Sequence, residues 1–210
     1  MKKHQGSRRD FIYLCVGGGF LALGYPLVKV ISQSAGVNSQ QAFIATPSNT
    51  LGPYYKRGAP QREKLIGEND PGAPLVVAGR VINTEGKPVP DATIEVFHAD
   101  HHGNYDMEGF RYRGEIPTGA TGEYRFETII PGHYGGRAKH IHYMISAPGH
   151  HRLVTQLYFE NDPVFEGDPD KTYTRDRLVE HRELIRPVTL TSRNNASYSS
   201  VVFNICLEKA

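Results

Sequence analysis

From residue 75 to residue 207 the chain is built of short β-prone runs cut apart by glycine and proline. The runs fall at residues 75–83, 92–98, 123–127, 138–147, 153–159, 187–190 and 198–207. They are too short and too rich in β-branched and aromatic residues for a helical bundle, and the breaks between them carry turn chemistry. Many short strands joined by such turns predict a mainly β fold, a β-sandwich of mostly antiparallel strands. In the second run Ile94 and Val96 face opposite to Thr93 and Glu95, the alternation of a strand with one face on a core. Residues 51–74 mix glycine, proline and aromatics and predict an irregular N-terminal arm that wraps or lines the sandwich. A single short helix is expected at 175–184, with His181 on its charged face.

One run carries more than structure. Pro131-Gly-His-Tyr134-Gly-Gly-Arg137-Ala-Lys-His140-Ile-His142 holds a phenol, a guanidinium and two imidazoles close together. His140 and His142 are spaced i, i+2 in a β-prone run, so both rings lie on one face within reach of one metal ion. The same spacing also suits an ordinary pair of polar strand residues. Upstream, Gly103-Asn-Tyr105-Asp106 brings a second tyrosine to the end of a strand. Two phenols with two imidazoles favour a hard trivalent cation, and iron(III) suits such a donor set better than zinc.

These residues belong to a longer pattern. Val77-x-Gly79-x-Val81, Gly86, Val89, Ile94-Glu95-Val96 and Gly103-x-Tyr105 together resemble the signature of the intradiol ring-cleavage dioxygenases, which include catechol and protocatechuate dioxygenases. Pro131-Gly-His-Tyr134, Arg137-Ala-Lys-His140-Ile-His142, Thr155-Gln156-Leu-Tyr-Phe159 and Leu51-Gly-Pro-Tyr54-Tyr55 resemble further stretches of that family. The resemblance implies an Fe(III) cofactor held by Tyr105, Tyr134, His140 and His142, with Tyr134 and His142 as axial ligands and a solvent hydroxide completing the sphere. It implies O2-dependent opening of a small aromatic diol between its hydroxyl-bearing carbons, giving a cis,cis-muconate. Tyr134 is then also catalytic, as acceptor of a substrate proton, and the charge of Arg137 stabilises negative density on the ring. Gln156, Tyr54, Tyr55 and His133 are candidates for contact with substrate. The chain departs from the family pattern where Tyr134 is followed by Gly135-Gly136 instead of Pro-Trp, which implies a more open or mobile pocket. Nothing in these residues selects among protocatechuate, plain catechol and a bulkier aromatic.

The N-terminus reads as an export signal. Ser7-Arg8-Arg9-Asp10-Phe11-Ile12 is a twin-arginine pattern, followed by an uncharged run to Val28. Residues 1–34 are therefore assigned to a twin-arginine signal peptide, 35–74 to a linker and arm, and 75–210 to the sandwich domain. The twin-arginine export machinery is the expected partner. The expected location is periplasmic or extracellular, with a membrane anchor if the signal stays uncleaved. The formal charge of +2 is uneven, because residues 1–34 carry five basic groups against Asp10 and the remainder is near −2 by difference. No basic patch argues for nucleic acid. Cys15 lies in the signal, which leaves Cys206 alone and excludes an internal disulfide after cleavage. A homo-oligomer is left open.

Three rivals remain. The stretch from Gly79 to Val96 also resembles transthyretin-like and carboxypeptidase-regulatory-like sandwich modules, which are non-enzymatic. His98-Ala-Asp100 with His140 imitates a two-histidine, one-carboxylate iron(II) triad but leaves both tyrosines unexplained. A cupin would need an acid soon after His-x-His, and residues 143–147 contain none.

Overall fold

The computed structural model describes residues 43–193 and 196–210, so the expected signal peptide and most of the expected linker lie outside the described residues. Among the described residues ten strands form two sheets: β1 (Pro74–Asn83), β2 (Thr93–Phe97), β3 (Arg113–Pro117), β4 (Glu123–Ile129), β5 (His140–Ser146), β6 (Leu153–Phe159), β7 (Ile185–Arg186), β8 (Thr189–Arg193), β9 (Ala196–Val202) and β10 (Ile205–Leu207). One sheet has the order β3-β2-β5-β6-β7. In the other, β1 pairs antiparallel with β4 on one side and parallel with β9 and β10 on the other, and β8 extends it beyond β9. Antiparallel pairing predominates, and the expected β-sandwich is what forms.

The core lies between the sheets. Leu75, Val77 and Val81 of β1 and Tyr124 and Phe126 of β4 meet Ile94 and Val96 of β2 and Ile141, Tyr143 and Ile145 of β5. The Tyr143 ring packs on Phe203 at 5.2 Å and Phe126 at 6.3 Å, a contact across the sandwich. β5 is buried on both faces except at Ser146. Its odd-numbered residues fill the core, so His140, His142 and Met144 point away from it. That second face is covered by the arm, which docks through the bridges Gln61↔Glu115 and Lys64↔Glu127.

Two local expectations need correction, and one strand was not expected. The run 198–207 is not one strand but two, because the Phe203 carbonyl crosses Gly79, where an added Cβ would stand 2.0 Å from it. The Asn204 side chain takes the Arg80 N–H at 3.0 Å, replacing a ladder bond lost at this kink. β3 was hidden by its glycine and proline. It pairs with β2 along one side, where Pro117 is tolerated, and Gly114 makes room for Leu65. The helix expected at 175–184 does not form. Residues Pro169–Thr172 make a single α turn, with 3₁₀ turns at Tyr173–Arg175 and Arg182–Leu184. Asp176 between them is extended, and its carboxylate reaches Arg137 and Ala138 outside the segment; His181 is extended as well.

A candidate metal centre on the outer face of β5

The register of the second sheet assembles the site. Phe97 of β2 lies opposite His142, and Gln156 and Tyr158 of β6 lie opposite His142 and His140. All five side chains share one face. The Phe97 ring stacks on the His142 imidazole at 4.3 Å, nearly parallel, which fixes its plane.

Two loops add the phenols. Gly103 and Gly132 allow the Tyr105 loop and the Tyr134 loop to touch, since a Cβ on Gly103 would stand 1.9 Å from the His133 carbonyl oxygen. The Gly132 N–H donates to the Asp100 carbonyl at 2.8 Å, which ties the loops together. Tyr134, Gly135, Gly136 and Arg137 form a tight turn closed by the Arg137 N–H on the Tyr134 carbonyl at 2.8 Å. Both glycines have positive φ, as a type I′ turn requires. A Cβ at either would meet nothing within 4 Å, so this turn is open on its outer side, as the Gly-Gly departure implied.

The structure brings the expected donors together. The Tyr105 hydroxyl lies 3.1 Å from Nε2 of His142 and 3.3 Å from Nε2 of His140. The Tyr134 ring stands edge-on to Tyr105, with centroids 5.7 Å apart. The Nδ1 atom of His140 bonds the Ala138 carbonyl at 2.6 Å, which leaves its Nε2 lone pair for the centre. The Nδ1 side of His142 faces the Thr50 carbonyl and the Gln156 amide nitrogen, and with its proton on Nδ1 toward Thr50 its Nε2 lone pair also points to the centre. Burial holds His140 down to about 4 and His142 well below its ordinary value; Arg137 lowers both and His140 lowers His142 further, so both imidazoles are neutral donors. One phenol cannot donate to two imidazoles, so one buried Nε2 lone pair has no protein donor. Burial pushes the Tyr105 phenol up. A hard cation would complete both lone pairs and draw off the phenol proton, so the residues fit such an ion.

Tyr54 of the arm closes the site from outside. Its ring stacks on Tyr105 at 4.3 Å and its hydroxyl donates to the Tyr134 hydroxyl. Tyr55 points elsewhere, its hydroxyl on Glu95 at 2.9 Å. Gly52 passes directly over His142. Gln156 is wholly buried and braces the arm, with its amide nitrogen on the Thr50 carbonyl at 2.6 Å and its oxygen accepting from Tyr158 and Arg137. The Arg137 guanidinium is no surface group: it bonds Asp176 through Nε and Tyr158 and Gln156 through Nη2. His133 is half-exposed and bonds Asp162 at 3.1 Å.

Sequence reasoning missed Phe97, Arg113, Tyr158, Asp162 and Asp176. Tyr158 was within reach, because it follows Gln156 by two residues on the same strand face. Arg113 is wholly buried, and its guanidinium bonds the carbonyls of Tyr54 and Asp106, joining the arm to the Tyr105 loop. No local pattern marks these long-range partners. The His98–Asp100 rival fails on geometry. Both ring nitrogens of His98 are engaged, by Ala99 and Thr128, and Asp100 caps its own loop. Among the described residues no three His, Cys, Asp or Glu side chains converge, so the cluster is one of imidazoles and phenols.

Comparison with known proteins agrees with this geometry. The family described as Dioxygenase matches residues 50–209. The chain belongs to the intradiol ring-cleavage dioxygenase family. It is 37% identical over 160 residues to catechol 1,2-dioxygenase 2 of Acinetobacter lwoffii, covering 64% of this chain and 58% of that protein. It is 32% identical over 206 residues to hydroxyquinol 1,2-dioxygenase of Nocardioides simplex, covering 85% and 70%. Among solved structures, the dioxygenase domain of a dioxygenase–carbohydrate-binding fusion from Streptomyces sp. SirexAA-E aligns with a TM-score of 0.68 at 36% identity, covering 80% of this chain and all of that one. The chain spans between half and two thirds of the length of the catechol 1,2-dioxygenases it matches.

Proposed function

We propose that the chain is an iron(III) dioxygenase that opens the ring of a catechol-type substrate between its hydroxyl-bearing carbons, with O2, to a cis,cis-muconate. The observation that carries this reading is the convergence of Tyr105 on both free Nε2 atoms, with Tyr134 beside it. Tyr105, Tyr134, His140 and His142 would hold the ion. When bound, ferric iron acts as a Lewis acid that draws electron density from a chelated catecholate. Tyr134, exposed and hinged on two glycines, is the donor free to give way to substrate, and its phenolate oxygen then accepts a catechol proton. Tyr54 donates to that oxygen and would favour its charged form. Arg137, held beside the site by Gln156 and Tyr158, sets a permanent positive charge against the electron-rich ring. The arm and the Phe97 face keep bulk water from the histidines.

Oxygen uptake by the iron-loaded protein with catechol, hydroxyquinol and protocatechuate tests the reading. One O2 consumed per catechol, with both atoms in a ring-opened diacid, is expected for at least one of them. Full iron occupancy with no oxygen uptake on any catechol contradicts it, and favours a sandwich module that only binds. The twin-arginine pattern further supports export, so the mature protein is expected in the periplasmic or extracellular fraction. Changing Arg8 and Arg9 to lysine should retain it in the cytoplasm; unchanged export would remove that assignment.

A further inference from the structure

The segment between β6 and β7, residues 160–184, has little regular structure of its own. It nevertheless contributes two buried carboxylates, Asp162 and Asp176, to the loop that carries the ligands. Asp162 accepts from the His133 ring at 3.1 Å and from the Lys139 N–H at 2.8 Å, besides capping its own turn through Val164. Asp176 accepts from Arg137 Nε at 2.8 and 2.9 Å, from the Ala138 N–H at 2.9 Å and from the Leu178 N–H at 3.0 Å. The two N–H groups immediately before His140 therefore go to side-chain carboxylates and not to a neighbouring strand. A buried carboxylate is costly unless fully partnered. Here each is partnered mainly by the ligand loop.

The bonds fall on either side of the exposed turn. His133 is anchored before Tyr134, and Arg137, Ala138 and Lys139 are anchored after it. Between the anchors, among the described residues, the backbone of Tyr134, Gly135 and Gly136 has only its own turn bond, and the Tyr134 side chain is held by Tyr54 and Tyr105 alone. We infer that Asp162 and Asp176 are positioning residues, a two-carboxylate clamp that fixes Arg137 and His140 while confining movement to the Tyr134 turn. This inference rests on the iron reading proposed above. Asp176 also faces Arg137 directly, so it sets both the place and the effective charge of the guanidinium.

The test uses the full-length iron-loaded protein and four variants: Asp162→Asn, Asp176→Asn, Asp176→Glu and, as control, Asp168→Asn. Asp168 lies on the same segment and pairs with Lys171 without touching the ligand loop. Iron(III) affinity by chelator competition and the position of the visible tyrosinate-to-iron band are read beside thermal stability. Asp162→Asn and Asp176→Asn should each lose about 10- to 100-fold in iron affinity or in kcat/KM, the usual effect of removing a partner that orients a metal ligand. Each should also shift the band. Asp168→Asn should match the wild type, and Asp176→Glu, which keeps the charge, should recover part of the loss. Should Asp176→Asn fail to accumulate, Asp162→Asn and Asp176→Glu decide the matter. Wild-type band position and affinity in the folded aspartate variants would overturn the clamp alone. A wild-type protein with no iron and no band would remove the iron reading and the clamp with it.

Discussion

The two halves of the candidate metal centre are built in opposite ways. His140 and His142 sit on a strand buried on both faces, with each Nδ1 side occupied and one ring stacked on Phe97. Tyr134 sits at the start of a two-glycine turn and is 36% exposed, with Tyr54 as its polar partner. The strand half is fixed by packing before any ion arrives. The turn half has space on its outer side. Under the proposed function the site would hold its metal firmly and yet open a position for substrate; this asymmetry suits that task, and it comes from the placement of two glycines.

Breaking the strand half should have the largest effect. His142→Ala removes a ligand and the Phe97 stack together, and should abolish stoichiometric iron(III) binding, read as metal content after dialysis. Retained iron would mean that the histidines are ordinary polar strand residues. Tyr105→Phe removes the loop phenol that meets both imidazoles and should lose colour and activity together.

Breaking the turn half should spare the metal. Tyr134→Phe should keep iron and lower kcat by about 10²- to 10⁴-fold, the usual weight of a positioned proton acceptor. Steady-state kinetics with quantified iron checks this. Equal loss of iron in Tyr134→Phe and His142→Ala would erase the distinction between the halves.

A titration sharpens the same comparison. Burial holds His98 and His140 down to about 4 against an ordinary value of 6.5. Between those values the unfolded chain binds protons that the folded chain refuses. The metal-free protein should therefore keep its full stability above pH 6.5 and lose it as pH falls toward 4. The slope is on the order of 1.4 kcal/mol per pH unit for each such histidine. Urea midpoints at pH 7 and pH 5 measure it, and equal midpoints would mean that the strand half does not enforce neutral imidazoles.

The smallest effect is expected at the turn itself. Gly136→Ala places a side chain at φ 79° in open space, so only backbone strain opposes it. It should cost about 1 to 2 kcal/mol of stability with iron content unchanged. Loss of iron in this variant would show that the turn half also anchors the metal.

The same contrast explains how much the sequence disclosed. Strand alternation placed Ile94 and Val96 in the core and both histidines on one face, because a period of two is local information. His-x-His and the paired tyrosines were legible for the same reason, as was Tyr54 in its arm. Asp162, Asp176 and Arg113 were not, since their partners lie on other loops and no spacing records them. The helix expected at 175–184 failed on this point: its charged pattern includes Asp176, whose carboxylate bonds Arg137 and Ala138 across the fold and so holds its backbone extended. The kink at Asn204 was equally hidden, because it depends on which residue approaches Gly79.

The central claim is a tyrosinate-ligated ferric centre on the outer face of β5. The most direct measurement is a visible absorption spectrum of the purified protein with iron quantified, before and after anaerobic addition of catechol. The account predicts about one iron per chain and a broad charge-transfer band that shifts when catechol binds. A colourless protein that takes up no iron on reconstitution would contradict it.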